Sequence, residues 1–170
     1  CAAGELPSQN CPGNRRWIQL VFDAMLLDPV GPTMLDARNS MLAADVMRYG
    51  GANQTAIWGA FARRGMGNAA AIHPALGVSD TNPVPDFGSP LENNAQVTFS
   101  LVSKETGDPV VGNVYVGHYE KQANPIADTD PATTNAGIDV NRDATAAFAP
   151  GEYEFVAVAK GYGFYRFRAT

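Results

Sequence analysis

The stretch Pro32–Gly67, PTMLDARNSMLAADVMRYGGANQTAIWGAFARRGMG, decides how the first part of the chain folds. Thr33 stands three residues before Asp36, the spacing of a capping box in which the two side chains satisfy each other's backbone N–H groups at a helix start. Leu35, Met41, Leu42, Val46 and Tyr49 recur at helical spacing on one side, while Arg38, Asn39, Asp45 and Arg48 fall mostly elsewhere. The helix is predicted to end at Gly50-Gly51, because glycine enters the left-handed conformation without a Cβ penalty. Asn53 is predicted to cap a further helix carrying Ile57, Trp58, Phe61 and Ala62. Arg63-Arg64 falls in its last turn, toward the negative end of the helix dipole, and Gly65 and Gly67 end it.

On the N-terminal side, Arg15 to Asp28, RRWIQLVFDAMLLD, predicts a helix capped by Asn14 and stopped by Pro29. Its apolar positions wrap almost the whole circumference, and a helix apolar all round needs cover on every side. Two short following helices do not supply that cover. The expectation is a helix from the interior of a larger domain, part of which lies upstream. Opening on Cys1 instead of Met agrees with a processed or excised piece. Cys1 and Cys11 bracket a run of turn formers and are expected to close a small disulfide loop contributing roughly 2–3 kcal/mol by chain-entropy reasoning. The alternative is two free thiols at a frayed terminus.

On the C-terminal side, 68–94 is rich in proline, glycine and asparagine without a stable period and reads as a linker, with a domain boundary within 78–92. From Ala95 the period changes to two. Strands are expected over 96–102, 110–119, 144–148, 152–159 and 164–168, separated by turns such as Thr106–Pro109 and Pro150-Gly151. The fold class is therefore α+β: helices over 1–77, a linker over 78–94 and a small antiparallel β-sandwich over 95–170.

Charge and composition narrow the function. The net charge of −5 and the absence of any basic patch longer than Arg15-Arg16 or Arg63-Arg64 argue against nucleic acid as a partner. The longest apolar-rich stretch, Trp17 to Leu27, is interrupted by Gln19 and Asp23 and is too short to span a bilayer. Few charges among many Gly, Pro, Ala, Thr and Asn residues suit a secreted bacterial or fungal protein.

The pattern Asp36-Ala-Arg38, Leu42, Ala44-Asp45, Gly50-Gly51, Asn53, Trp58, Phe61-Ala62 and Arg64-Gly-Met-Gly67 resembles the C-terminal helices of the thermolysin-like catalytic domain in the fungalysin family of secreted zinc metalloendopeptidases. The preceding text VFDAMLLDPVGPTMLDAR is similar to the same family, with Ala24 where its D-G-M-x-L motif carries glycine. The likeness covers about 15–70. It implies a zinc peptidase acting on protein or peptide substrates. Family members hold zinc with HExxH on one helix and a further glutamate, and the HExxH glutamate activates the bound water. This chain has no HExxH, and its only histidines, His73 and His118, stand in different segments. The family's zinc ligands and catalytic histidine lie before the stretch seen here. No catalytic residue, zinc ligand or cofactor is therefore assigned to this chain, and the implied partner is the upstream catalytic part of the same protein. The second part looks similar to a carboxypeptidase-regulatory-like or transthyretin-like sandwich, through Gly107–Val116 and Ala149–Tyr162, although 121–143 is long for such domains.

Asp139, Asn141 and Asp143 have the D-x-N-x-D spacing of a calcium loop, with Asp128 and Asp130 nearby. Ala144 occupies the position that needs glycine and Pro150 the position that needs a bidentate glutamate, which favours a solvated acidic loop. Trp58 with Phe61, and Tyr153 with Phe155, are expected in cores. Asp36, Arg38 and Asp45 are expected in structural ion pairs or caps. Asn53-Gln-Thr55 fits a glycosylation sequon, in competition with a capping role for Asn53. The leading expectation is a C-terminal fragment of a secreted zinc metalloendopeptidase that supports a catalytic site elsewhere. The alternative is a non-catalytic secreted binding or structural module.

Overall fold

The computed structural model describes Pro7 and residues 11–117, 124–133 and 144–170. The chain divides into two compact units, Cys1–Ile57 and Trp58–Thr170. The division falls earlier than the expected linker at 78–94.

In the first unit, helix α1 spans Pro12–Leu27. It begins before the expected Asn14 cap, with Cys11 as the flanking residue and Pro12 in the first turn. Proline suits that position because its φ is already helical and its missing N–H would have had no intrahelical acceptor. Helix α2, Met34–Tyr49, starts as the sequence indicates. The backbone N–H of Asp36 donates to Thr33 Oγ1 at 3.1 Å, and that of Thr33 donates to Asp36 Oδ2 at 2.9 Å. The Thr33 hydroxyl, which donates to Asp36 Oδ2 at 2.7 Å, is the main cause holding the Asp36 carboxyl below its ordinary pKa, and the Thr33 N–H helps. Gly50 closes the helix at φ 61°, where its N–H reaches the Asp45 and Val46 carbonyls. Helices α1 and α2 pack together, with Leu20 and Ala24 buried on α1 and Met41, Leu42 and Ala44 buried on α2.

Helix α3, Gln54–Ala62, runs across the division between the units. In the second unit, the chain after α3 is ordered by backbone pairing despite its prolines. Val84, between Pro83 and Pro85, exchanges hydrogen bonds with Ala71 at 2.8 and 3.0 Å. The buried Asn124 donates its side-chain amide to the carbonyls of Asn82 and Pro83 at 2.9 and 3.0 Å. A Cβ on Gly67 would run into the Gly88 carbonyl and Asp86, so only glycine allows this approach.

Among the described residues six strands follow: β1 Ala95–Thr98, β2 Gly112–Val116, β3 Ala127–Asp128, β4 Thr145–Phe148, β5 Tyr153–Ala159 and β6 Phe164–Ala169. They form two antiparallel sheets, a pair β1-β4 and a four-stranded sheet in the order β3-β2-β5-β6. Val114 and Ala157 face each other across β2 and β5, as do Phe155 and Phe167 across β5 and β6. Ala146 and Phe148 of β4 join Val114, Phe155 and Ala157 in one buried cluster, so both sheets share a core. Phe148 is its centre: its ring lies 5.5 Å from Phe87, 6.3 Å from Phe99, 5.0 Å from Tyr153 and 5.5 Å from Phe155. Phe87 comes from the expected linker, and the Ala149 N–H donates to its carbonyl at 2.7 Å. The Tyr153 hydroxyl donates to the Ala149 carbonyl at 2.7 Å, and burial pushes its pKa up.

Candidate functional site

Helix α1 carries two apolar stripes with different fates. Leu20 and Ala24 are buried, whereas Ile18, Phe22 and Met25, at i, i+4, i+7 spacing, remain 59–67% exposed. Trp17, Leu26 and Met34 add exposed apolar surface within the same unit. The sequence expectation of a helix needing cover on all sides is met on one side only within the described residues. Exposed apolar side chains gathered on one helix face are a mark of an interaction face.

Polar pairs fix the presentation of that face. Arg48 of α2 donates through Nη2 to Asp23 Oδ1 at 2.9 Å and through Nε to Asp23 Oδ2, locking α1 to α2. Arg48 is the main cause holding the Asp23 carboxyl below its usual range, helped by Gln19, whose amide donates to it at 2.8 Å. Arg16 lies over the Tyr49 ring at 5.5 Å. Because the exposed stripe takes no part in these contacts, Phe22→Gln is expected to change the unfolding free energy of the isolated chain by no more than about 0.5 kcal/mol. Urea unfolding followed at Trp17 measures it.

A second polar centre lies where α2 gives way to α3. Asp45 is fully buried. It accepts from the Asn53 N–H at 3.0 Å, the Asn53 side-chain amide at 2.6 Å and the Gln54 amide at 3.1 Å. Burial is the largest influence on its carboxyl and pushes the pKa up, but the bonds from Asn53 and Gln54, with the Arg16 charge, reverse it and the net displacement is downward. Arg38, expected away from the apolar side, is also buried, with its guanidinium donating to Asn39 Oδ1 at 3.0 and 3.1 Å. The depth of both residues goes beyond what the sequence indicated. The sequon residue Asn53 is engaged by Asp45 through its side-chain nitrogen, the atom that glycosylation would need.

Among the described residues, the other sequence candidates do not converge. Asp139, Asn141, Asp143, His118 and Cys1 lie outside the described residues. Cys11 is buried at the start of α1. The Asp128 carboxylate accepts from the Asp130 N–H at 2.8 Å, and Asp130 from the Ala132 N–H at 2.9 Å, so both serve local turns. His73 accepts through Nδ1 from the Ala75 N–H at 3.3 Å, while its backbone N–H donates to Asp80 Oδ2 at 2.8 Å. Among the described residues no three His, Cys, Asp or Glu side chains come together as a metal would require. The described residues therefore do not fit a zinc site, and no reaction step is assigned to them. No helix among the described residues is long and apolar enough to cross a membrane.

Comparison with known proteins separates the two parts of the chain. Residues 3–70 match the fungalysin metallopeptidase (M36) family. An extracellular metalloproteinase of Aspergillus niger is 42% identical over 64 residues, which is 38% of this chain and 10% of the relative. One from Fusarium vanettenii is 47% identical over 53 residues, 31% of this chain and 8% of the relative. One from Aspergillus flavus is 43% identical over 67 residues, 39% of this chain and 11% of the relative. The chain thus spans roughly a tenth of the length of these relatives. Its first part is related to a family of extracellular metalloproteinases; the matched stretch holds both α1 and the Asp45 centre.

Proposed function

We propose that residues 3–70 are the C-terminal helices of the thermolysin-like catalytic domain of a secreted zinc metalloendopeptidase. In this role they cover the back of a catalytic core whose zinc ligands and acid–base groups stand in polypeptide upstream of this chain. The observation that carries the proposal is the exposed stripe Ile18, Phe22 and Met25, within the stretch that matches the fungalysin family. Each such side chain contributes about 1.5–3 kcal/mol when removed from water, so leaving the stripe uncovered forgoes a large part of the helix's packing energy. The substrates of the whole enzyme are proteins or peptides, and this chain's part is to hold the fold that presents the site.

The two sheets are proposed to be a small β-sandwich accessory domain, similar to carboxypeptidase-regulatory-like or transthyretin-like modules. The shared core around Phe148 supports that assignment. Cys1 and Cys11 are proposed to pair, which would anchor the chain just before α1 and suits an extracellular setting. Non-reducing peptide mapping tests the pair.

Association tests the main reading. The zinc-bearing portion of the same protein, mixed with this chain, is expected to give a one-to-one complex in sedimentation, with Trp17 emission shifted to the blue as its surroundings dry. Phe22→Gln, which leaves the isolated chain stable, is expected to weaken the complex at least tenfold, consistent with loss of a buried anchor. A zinc-bearing portion that ignores the chain, or binds wild type and variant alike, would contradict the proposal.

A further inference from the structure

The match to the peptidase family runs to residue 70, whereas the second compact unit already begins at Trp58. The stretch 58–70 is thus peptidase-related by sequence and part of the second unit by structure. It holds the C-terminal half of α3 and the turn after it. Glycine is a poor helix former, yet Gly59 stands inside α3. A Cβ there would lie 2.5 Å from Glu92 Oε2, so glycine is what lets that carboxylate reach the helix backbone. Beyond the helix, a Cβ on Gly65 would lie 3.3 Å from the Phe87 ring and 3.4 Å from Pro85. All of these neighbours belong to 85–92, outside the family match.

Polar contacts close the same seam. Arg63, one turn after Gly59 and on the same side of the helix, donates through Nη1 to the Pro150 carbonyl at 3.1 Å. Its guanidinium lies 3.7 Å from Glu92 Oε1. The turn between β4 and β5 presses on its stem: a Cβ on Gly151 would lie 2.9 Å from Arg63 Cδ. Glu92 Oε2 is buried without a hydrogen bond, so the carboxylate depends on the guanidinium for compensation. Backbone bonds continue the seam, the Gly67 N–H donating to the Asp86 carbonyl at 2.7 Å and the Asp86 N–H to the Gly65 carbonyl at 3.0 Å. One residue on, Phe87 enters the core beside Phe148. One segment and one turn thus tie α3 to the strand core.

We propose that the second unit is the seat of α3. The segment 85–92 and the Pro150-Gly151 turn hold this helix of the peptidase-related stretch, with Gly59, Arg63 and Glu92 as positioning residues. The strands are then an intramolecular partner against which the helix folds, and the end of the family match is no boundary in the fold. The helix takes its identity from the peptidase reading above, while the seat is tested on this chain alone, without the zinc-bearing portion, so the two can fail separately.

The test is a double-substitution cycle in the full chain, with Trp17→Phe leaving Trp58 as the reporter. In an unencumbered helix Gly→Ala raises the thermal midpoint, because alanine is the stronger helix former. At Gly59 the new methyl meets Glu92 and displaces it from Arg63. Gly59→Ala is therefore expected to shift the midpoint upward by about 5 °C more in a Glu92→Ala background than in the otherwise unchanged chain. Should Gly59→Ala alone fail to fold, recovery of the fold on adding Glu92→Ala decides the same question, and no recovery would overturn the proposal. Arg63→Ala is expected to speed amide exchange at Gly67 and Asp86 about tenfold, because the seam opens as one piece. An equal effect of Gly59→Ala in both backgrounds, or unchanged exchange at Gly67 and Asp86 in Arg63→Ala, would mean that α3 is not seated in this way.

Discussion

Truncating Phe148 to alanine is expected to lower the unfolding free energy of the second unit by about 3–5 kcal/mol. The ring is 3% exposed and touches four other aromatic rings, from β5, from the chain after β1 and from the segment before the sheets. Its removal deletes apolar contact and leaves a cavity that rings held by two different sheets cannot collapse to fill. The chain has two tryptophans, so a Trp17→Phe background leaves Trp58 as the reporter within that unit. Urea unfolding followed at Trp58 measures the loss. A change below about 1 kcal/mol would mean that the two sheets do not share this core.

Asp45→Ala is expected to cost the first unit about 3 kcal/mol, because it strands the Asn53 N–H and side-chain amide and leaves the Gln54 amide only its bond to the Leu42 carbonyl. Asp45→Asn retains one acceptor oxygen and is expected to cost less. The pH dependence has a definite sign. The folded-state pKa of Asp45 is depressed, so its contribution is fully present above the unfolded value near about 4 and is lost as pH falls through the folded value. Wild type should therefore weaken on acidification, and Asp45→Ala should weaken less steeply over the same interval. Asp23 and Asp36, also depressed, keep part of the acid sensitivity in both proteins. Unfolding followed at Trp17 in a Trp58→Phe background, at pH 7 and at pH values around 4, reads both effects. An acid limb identical in the two proteins would remove Asp45 from the stability of this unit.

The parts legible in the sequence are those governed by neighbours. Thr33 with Asp36 and the left-handed Gly50 are set by bonds spanning a few residues, and the structure places both as their spacing indicates. Tyr153 and Phe155 alternate inward because a strand has a period of two, and both are in the core. The start of α1 differs from the Asn14 expectation for an equally local reason: Asn14 is a good cap, but Pro12 is pre-shaped for the first turn and takes the helix earlier.

What could not be read depends on the chain returning to itself. Asp45 looks like a surface carboxylate on a helix until Asn53 and Gln54 come back to meet it. The proline-rich text around Val84 and Phe87 lacks any period, yet carbonyls beside proline still accept, and Asn124 supplies the donors. Phe87 enters a core built from strands some 60 residues further on, which no window over 78–94 contains. Strand β3 is two residues long and has no period to detect. The candidate site is legible in a particular sense: the apolar positions of RRWIQLVFDAMLLD run round the helix, and the structure leaves Ile18, Phe22 and Met25 among them exposed.

Complementation of activity tests the central claim most directly. The zinc-loaded portion of the same protein is assayed on an internally quenched peptide alone, with the 170-residue chain, and with its Phe22→Gln variant. The expected result is negligible hydrolysis by either part alone, restoration by the wild-type chain, and weak restoration by the variant. Full hydrolysis by the zinc-loaded portion alone, unchanged when the chain is added, would contradict the claim that these helices complete the peptidase fold.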